Sequence, residues 1–339
     1  MNFTPTEDQR MIADSFAGVL QNAPSDHWAA LKALGLTQAT WPEAAGGADM
    51  TLADMVPALI ETGRAASAAP VIACGILPGL AMGRTGAHLP DMADVQICGV
   101  ADVTGLRGSA GGLSGSLPVV PGADAGDHFL LCLPDGYLGI FTAEKDAVQP
   151  CQLLDGRGAA HVQPAQLSKL HAVQGGHGMT DWLQDTAATA FAADALGAMF
   201  ALRDMTLDYL KQRKQFGKPL GAFQALQHAM VDIHHETEHF HSLVLLAAFA
   251  CSGEDDALRM RAVSAMKRFL GTRIRKAAAS AIQLHGGIGM TEEYPLGRYV
   301  KRVLVADMLM GSADFHGKRL GRLIADETRT PPLQKETAA

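Results

Sequence analysis

The sequence predicts a mainly α protein with a small antiparallel β domain set between an N-terminal helical segment and a C-terminal helical bundle. Three observations lead there. Alanine, leucine and methionine are abundant, while aromatics make up only 6% of the 339 residues. That balance favours helix, because those side chains lose little rotamer freedom in one. Apolar residues recur at helical spacing towards both ends of the chain, whereas the middle shows short apolar runs between glycine clusters, the pattern of strands and turns. At 35.7 kDa, with 48% hydrophobic and 19% charged residues, the chain has material for a substantial core in two or three domains. Its net charge of −7 gives no broad phosphate-neutralising surface, so no nucleic-acid partner is expected.

Residues 1–91 read as an α-helical domain. Thr4-Pro5-Thr6-Glu7 offers a capping box with proline at the first helical position, and Met11, Ile12, Phe16 and Leu20 follow at helical spacing. Trp41 to Asp49 is a loop broken by Gly46-Gly47; Thr51 then caps a helix running towards Arg64, kinked at Pro57. Ala65 to Gly83 carries no charge, but Pro70, Gly75, Pro78 and Gly79 interrupt it, so it reads as a buried helix–loop segment. The longest unbroken apolar run, Leu243 to Cys251, is too short to span a bilayer.

Residues 92–170 read as the β domain. Val95–Val100, Phe129–Leu133 and Tyr137–Phe141 are its strands, with Pro134-Asp135-Gly136 as a hairpin turn. Gly105–Gly126 has no GxGxxG opening a helix and reads as a sheet connection. Residues 171–325 return to helix. Ala192, Ala195, Met199, Leu202 and Tyr209 line one face of the first helix. Phe223, Leu226, Met230, Ile233, Phe240 and Val244 form the seam of the second, with Thr237 at its one polar position. Val263, Met266, Leu270, Ile274, Ala277 and Ala281 form the seam of the third, and a further helix follows Pro295. Such seams with short connections imply an antiparallel bundle. Residues 326–339, with Pro331-Pro332, read as a flexible tail.

The five cysteines are scattered, odd in number and without a CxxC pair, which predicts free thiols in a reducing compartment. The N-terminus has no signal-peptide pattern, so the cytoplasm is the expected location. His235-Glu236-Thr237-Glu238-His239 matches the H-E-x-x-H zinc motif. Its register puts both imidazoles opposite the apolar seam, on the face turned to solvent, and no third ligand is evident. No metal is expected.

Two strings are more specific. Arg213-Lys214-Gln215-Phe216-Gly217-Lys218-Pro219-Leu220 leads into Phe223-Gln224-Ala225-Leu226-Gln227-His228, and Gln283-Leu284-His285-Gly286-Gly287-Ile288-Gly289-Met290-Thr291-Glu292-Glu293-Tyr294-Pro295 stands between two bundle helices. Both resemble the acyl-CoA dehydrogenase family, in order and separation as well as in residues. The resemblance covers essentially the whole chain and implies a helical domain, a β domain and a four-helix C-terminal bundle. It also implies FAD as cofactor, an acyl-CoA substrate and an electron-acceptor flavoprotein. An arginine fork suits the cofactor's diphosphate, and paired glycines let backbone approach it. By the resemblance, Arg213, Gln215, Phe216, Gln224, Gln283, Gly286 and Gly287 contact FAD, the first string reaching across a subunit interface.

The sequence departs from this family where the chemistry is sharpest. The family's proton-abstracting glutamate stands fifteen residues beyond the Tyr-Pro pair, which here is Met310-Gly311-Ser312. The alternative base position, twenty-six residues before the arginine, is Ala187, with Asp185 as a weak nearby candidate. The Met-Thr-Glu-Pro and Trp-Ile-Thr strings are absent, so the β domain reads as reduced. The pattern resembles the short subunit of heteromeric steroid side-chain dehydrogenases, which implies a second, similar chain that supplies the base, in an α2β2 tetramer. Two other readings stay open. One is a homo-oligomer with a relocated base, Asp185, Asp307 or Asp314; the other is a non-catalytic acyl-CoA-binding protein on the same fold.

Overall fold

The computed structural model describes residues 4–22, 26–86, 96–109, 112–126, 128–133, 137–144, 146–174 and 178–329. Helix α1 (Glu7–Asn22) is capped by Thr6, whose Oγ1 accepts from the Gln9 N–H while the Gln9 side chain accepts from the Thr6 N–H. The capping box therefore sits two residues later than Thr4–Glu7. Both tetrads fit the pattern, and the later start puts Glu7 and Asp8 in the first turn, where the helix dipole favours them. Phe16 and Leu20 are buried, whereas Met11 is exposed. After α2 (His27–Ala33), helix α3 (Leu52–Arg64) begins at the Thr51–Asp54 capping box and accommodates Pro57 within it. A wide π-type turn, Val71–Ile76, runs into α4 (Leu77–Thr85), and both lie in the core.

The β domain comprises β1 (Ile97–Val100), β2 (Leu106–Ser109), β3 (Gly112–Gly115), β4 (Leu117–Pro121), β5 (His128–Cys132), β6 (Tyr137–Ala143), β7 (Val148–Gln152), β8 (Gly158–Val162) and β9 (Leu167–Gln174). They form a β1-β5-β6-β9 sheet, a β4-β8-β7 sheet and a β2-β3 hairpin. The β1–β5 pair is parallel, unlike its neighbours. The intervening excursion is long enough to bring the chain back in the same direction. That excursion, expected to be a plain connection over Gly105–Gly126, itself forms β2, β3 and β4. The expected turn at Pro134–Gly136 lies outside the described residues.

The bundle is built on α5 (Met179–Gln212), whose stretch from Asp185 to Phe200 is buried on every side. The short strands β10 (Lys214–Gln215) and β11 (Lys218–Pro219) pair as a hairpin before α6 (Gln224–Ser252). Helix α7 (Asp256–Phe269), a π-type turn at Leu270–Ile274 and α8 (Arg275–His285) form one rod, followed by α9 (Leu296–Met308) and α10 (Ala313–Arg329). The anticipated seam of α6 is buried from Met230 onward, with Phe223 and Leu226 only half-buried, and that of the rod is buried throughout; the polar Thr237 is satisfied by donating to the Ile233 carbonyl at 2.7 Å. Helix α10 continues past residue 325 to Arg329, while residues 330–339, expected to be a flexible tail, lie outside the described residues. Among the described residues, no helix is long and apolar enough to cross a membrane.

Glycines set the distance between the N-terminal helices and the bundle. A Cβ on Gly63 of α3 would lie 1.8 Å from the Asp194 carbonyl oxygen, and one on Gly197 of α5 would lie 1.9 Å from that of Ile60. The two backbones touch directly, as only residues without a Cβ permit. Gly197→Ala should therefore destabilise the fold by at least about 1–3 kcal/mol, the usual cost of overpacking a close contact, read as a lowered urea midpoint.

Candidate active site and cofactor clasp

Arg213 caps the C-terminus of α5, its N–H donating to the Tyr209 carbonyl at 2.8 Å. The hairpin that follows turns through Phe216 (φ 54°) and Gly217 (φ 82°), two successive left-handed residues as in a type I′ turn. Phenylalanine rarely takes this conformation, and here its ring is also 88% exposed, meeting only the edge of Phe223 at 6.2 Å. Lys218 Nζ lies 4.3 Å from the centre of the Phe223 ring. Arg213 and Gln215 are exposed beside the turn, and Gln224, the first residue of α6, is exposed as well. The hairpin thus presents a cation, an amide and a large apolar ring outward.

Gln283, Gly286 and Gly287 are exposed at the C-terminal end of α8. Gly286 has φ 65° and ψ −144°, a conformation that side chains other than hydrogen resist. A Cβ on either glycine would meet nothing within 4 Å, so the absence of side chains leaves an open cradle rather than relieving an internal clash. Beneath it His285 is buried and stacks on Tyr209 at 4.5 Å, with Tyr294 at 5.1 Å. Its Nδ1 donates to the Ala281 carbonyl at 2.8 Å, while its buried Nε2 has no hydrogen-bond partner among the described residues. Burial holds this imidazole below its usual pKa. Because Tyr209 also receives the Arg213 N–H, one ring stack joins the ends of α5 and α8 and brings the two strings together.

Met310 lies elsewhere, in the turn between α9 and α10. It is buried at φ 55°, and the following Gly311 has φ 92°. Lys267 Nζ crosses from α7 and donates to the carbonyls of Ala306 (2.6 Å), Asp307 (3.0 Å) and Leu309 (2.7 Å), capping α9 with a cation where the dipole favours one. Burial nevertheless pushes its pKa down to about 7. His316 Nε2 donates to the Met310 carbonyl at 2.9 Å, with Ser264 Oγ 3.4 Å from its Nδ1. Burial pushes the His316 pKa down to about 4.

The carboxylates considered as bases are committed to cations. Asp185 is 1% exposed and accepts from Arg259 at 3.1 Å and from Arg319 at 2.5 and 2.9 Å. Asp307 pairs with Arg275 at 3.0 Å and accepts the Ala313 N–H at 3.2 Å. Asp314, on the surface, pairs with Arg268 at 3.2 Å. Ala187 is buried and has nothing to titrate. In the H-E-x-x-H segment, His235 and His239 are exposed opposite the seam, and Glu236 is bonded to Arg273.

The cleft where the helical domain, the β domain and the bundle meet holds residues that the motifs did not single out. Asp194 of α5 accepts two bonds from Arg302 of α9, both 2.7 Å, and one from Thr62 of α3 at 2.9 Å. Arg157, between β7 and β8, lies 3.5 Å from Asp194, donates to Asp155 at 2.8 Å and covers the Phe191 ring at 5.2 Å. Burial pushes the Asp194 pKa up, but the two guanidiniums outweigh it and hold the carboxyl below its usual range. A sequence signal existed: Asp194 and Arg302 each stand at a seam position of an otherwise apolar helix face.

Comparison with known proteins fits this geometry. Residues 6–84 match the acyl-CoA dehydrogenase N-terminal domain, and 176–325 match the acyl-CoA dehydrogenase C-terminal domain. The chain belongs to the acyl-CoA dehydrogenase family, whose members are FAD-dependent oxidoreductases acting on CH–CH bonds. It is 30% identical to acyl-CoA dehydrogenase IpdE2 of Mycobacterium tuberculosis, over 91% of this chain and 95% of that protein. It is 26% identical to acyl-CoA dehydrogenase FadE28 of the same organism, over 95% and 98% respectively. A solved structure titled as the Tcur3481-Tcur3483 steroid ACAD G363A variant superposes with a TM-score of 0.80 at 27% identity, covering 95% of this chain and 97% of that one. The fold of the ChsE4-ChsE5 complex from Mycobacterium tuberculosis is similar too, with a TM-score of 0.85 at 20% identity over 98% and 100% of the chains.

The two regions differ in how they suit FAD. The exposed Arg213 fits its anionic diphosphate, and the glycine pair leaves room for it. The interior cleft does not fit its ring: the cavities left beside Phe191 measure about 20 and 10 Å³, room for roughly one water molecule each.

Two measurements check these assignments. Asp185→Asn should cost about 1–3 kcal/mol in urea unfolding, because it takes from buried Arg259 one of its two counter-charges and leaves Asp256 as the other; a base would instead lose turnover at unchanged stability. His316 is depressed in the fold, so the unfolded chain binds the extra proton first. Its contribution, about 3 kcal/mol, is complete above pH ~6.5 and is lost as pH falls towards about 4. In His316→Asn that part of the acid sensitivity should disappear from urea midpoints measured across the window.

Proposed function

We propose that this chain is one subunit of a heteromeric, α2β2 acyl-CoA dehydrogenase. Arg213, Gln215, Phe216, Gln224, Gln283, Gly286 and Gly287 complete an FAD site held chiefly by a second, similar chain, which also supplies the base. The observation that carries this reading is a contrast within one molecule. The outward-facing clasp is kept, down to a left-handed exposed phenylalanine, while Met310 stands where a proton acceptor belongs. Resemblance to the Tcur3481-Tcur3483 steroid ACAD supports a steroid-derived acyl-CoA as substrate.

When bound, FAD supplies the hydride acceptor for α,β-dehydrogenation of the thioester. This chain's residues contribute binding and exclusion. Arg213 would hold the diphosphate, its guanidinium fork suiting phosphate oxygens as lysine's point charge does not. The Gly286–Gly287 pair would leave room for the same group. Phe216 buries its ring at the subunit boundary and keeps water from the clasp. Met310 has no lone pair basic enough to take the α proton, so that proton goes to the partner's base, and a separate flavoprotein takes the electrons onward. The homo-oligomeric reading needs a free carboxylate, yet Asp185, Asp307 and Asp314 all carry ion pairs.

Co-expression with a similar chain should yield a yellow complex that oxidises an acyl-CoA, whereas an active, flavinated homotetramer overturns the reading. In that complex Arg213→Ala should weaken FAD retention roughly 10- to 100-fold, the equivalent of a charge-assisted bond of about 1.5–3 kcal/mol. Arg213→Lys should fall in between, measured by flavin fluorescence on dilution.

A further inference from the structure

We propose that the open groove between the C-terminal half of α5 and the N-terminal half of α6 is the seat for an apolar helix ridge of the second, similar chain, flanked on that chain by acidic side chains. The identity of the occupant rests on the function proposed above; the apolar character of the groove stands on this chain alone.

Leu207 and Leu210 of α5 and Met230 and Val231 of α6 line this groove, which encloses about 570 Å³. Leu210 and Met230 are buried, whereas Leu207 is 38% and Val231 48% exposed. Two large aliphatic side chains left open along one groove favour an apolar occupant, because covering them takes apolar surface out of water. Polar demands in the groove are already met. Arg203 pairs with Asp204 and Glu238, and His234 lies 3.9 Å from the same glutamate. No residue lining the groove holds a buried polar side-chain atom that lacks a partner among the described residues. A site for a small polar ligand would place such convergent groups at its centre; a seat for a helix ridge needs only the apolar surface.

The groove ends at the base of the clasp hairpin. Lys211 and Gly221, which line it, stand on either side of that hairpin. The Leu220 N–H donates to the Arg213 carbonyl at 2.8 Å, and the Gln227 side chain donates to the Gly221 carbonyl at 2.7 Å. A chain that reaches Arg213 therefore lies next to the groove. The clasp residues alone are too few to hold it, since a stable interface takes about 20–30 residues a side, with an apolar core inside a polar rim. Phe216 is the one large apolar side chain of the clasp, and the groove supplies the rest of such a core. The rim is cationic: Lys211, Arg213, Lys214 and Lys218 are exposed, with no acid among residues 211–218, on a chain of net charge −7. With Arg213 given to the diphosphate, the three lysines face the partner and suit acidic side chains beside its ridge. A second copy of this chain, packed about a two-fold axis, would bring the same cations against them.

The test leaves the clasp intact and changes the groove. Leu207→Glu and Val231→Glu are made singly, with Met11→Glu on α1 as a control at another exposed apolar position. Urea midpoints of the chains alone show that each still folds. Each is then co-expressed with the acyl-CoA dehydrogenase-like chain that forms the yellow complex, and dissociation on dilution is followed by sedimentation velocity. Either groove substitution should raise the dissociation constant by roughly 10-fold or more, because it sets a carboxylate against an apolar ridge. Met11→Glu should leave it within about twofold, as a surface change away from the contact does. Lys211→Glu should also weaken the complex and flatten its salt dependence, and it tests the same seat should an apolar variant fold poorly. Complexes that dissociate alike with and without these substitutions overturn the docking and leave the function proposed above standing. If no such chain associates with the unaltered sequence, both fall. A self-associated form of this chain that Leu207→Glu disperses assigns the groove to a second copy and likewise overturns the proposal.

Discussion

The structure depends on one buried carboxylate. Asp194 lies 1% exposed at the centre of α5 and is shared by Thr62 of the helical domain, Arg157 of the β domain and Arg302 of the bundle. A carboxylate so deep is tolerable only when its charge is neutralised and its oxygens are hydrogen-bonded, and here each of the three units supplies part of that compensation. None of them can move away without leaving a charge exposed to an apolar surrounding. The glycine contacts between α3 and α5 act in the same place and the same sense, since direct backbone contact allows Thr62 to reach the carboxylate. The orientation of the units is thereby fixed by charge as well as by shape.

This constraint explains why the molecule has two unlike faces. Inside, polar groups point at one another and the space between them is used up. At the ends of α5 and α8, polar groups point outward: Arg213 and Gln215 flank a turn whose phenylalanine is exposed, and a glycine pair faces open space. A phenylalanine held in a left-handed turn and left largely in water gains little within this chain beyond its edge contact with Phe223. Its conformation makes sense as a shape prepared for a surface that another molecule provides. The His285 stack beneath the cradle is the internal support for that face, because it ties the arginine-bearing end of α5 to the glycine turn.

Much of this was legible in the sequence, and for identifiable reasons. The bundle seams are periodic, so Met230, Ile233, Phe240 and Val244 announce their burial, and Thr237 announces the one seam position needing an internal acceptor. The clasp residues lie in two short continuous strings. The β domain was less legible, because glycine-rich segments carry little periodicity; the strands within Gly105–Gly126 are specified by pairing partners distant in the chain. The Asp194 network was hidden for a related reason. Its members come from four separate elements, and nothing local to Arg157 or Thr62 indicates that they meet. The choice between two overlapping capping tetrads at Thr4 and Thr6 turned on the dipole rather than on the pattern.

Under the function proposed above, the turn at Met310 is a catalytic position kept without its catalytic group. A general base contributes about 10²–10⁴-fold in rate, but the turn that would carry it also joins α9 to α10, and that duty is independent of the side chain. Lys267 caps α9 there, His316 bonds to the Met310 carbonyl, and a Cβ on Gly311 would lie 2.6 Å from the Phe315 ring. The backbone path is therefore held by contacts that make no use of a carboxylate. A glutamate buried at this point, with Lys267 already spent on three carbonyls, would carry a desolvation penalty that methionine does not. Methionine fills the same volume with a flexible apolar chain. Under the function proposed above, with the base on a partner, packing alone governs what residue 310 should be.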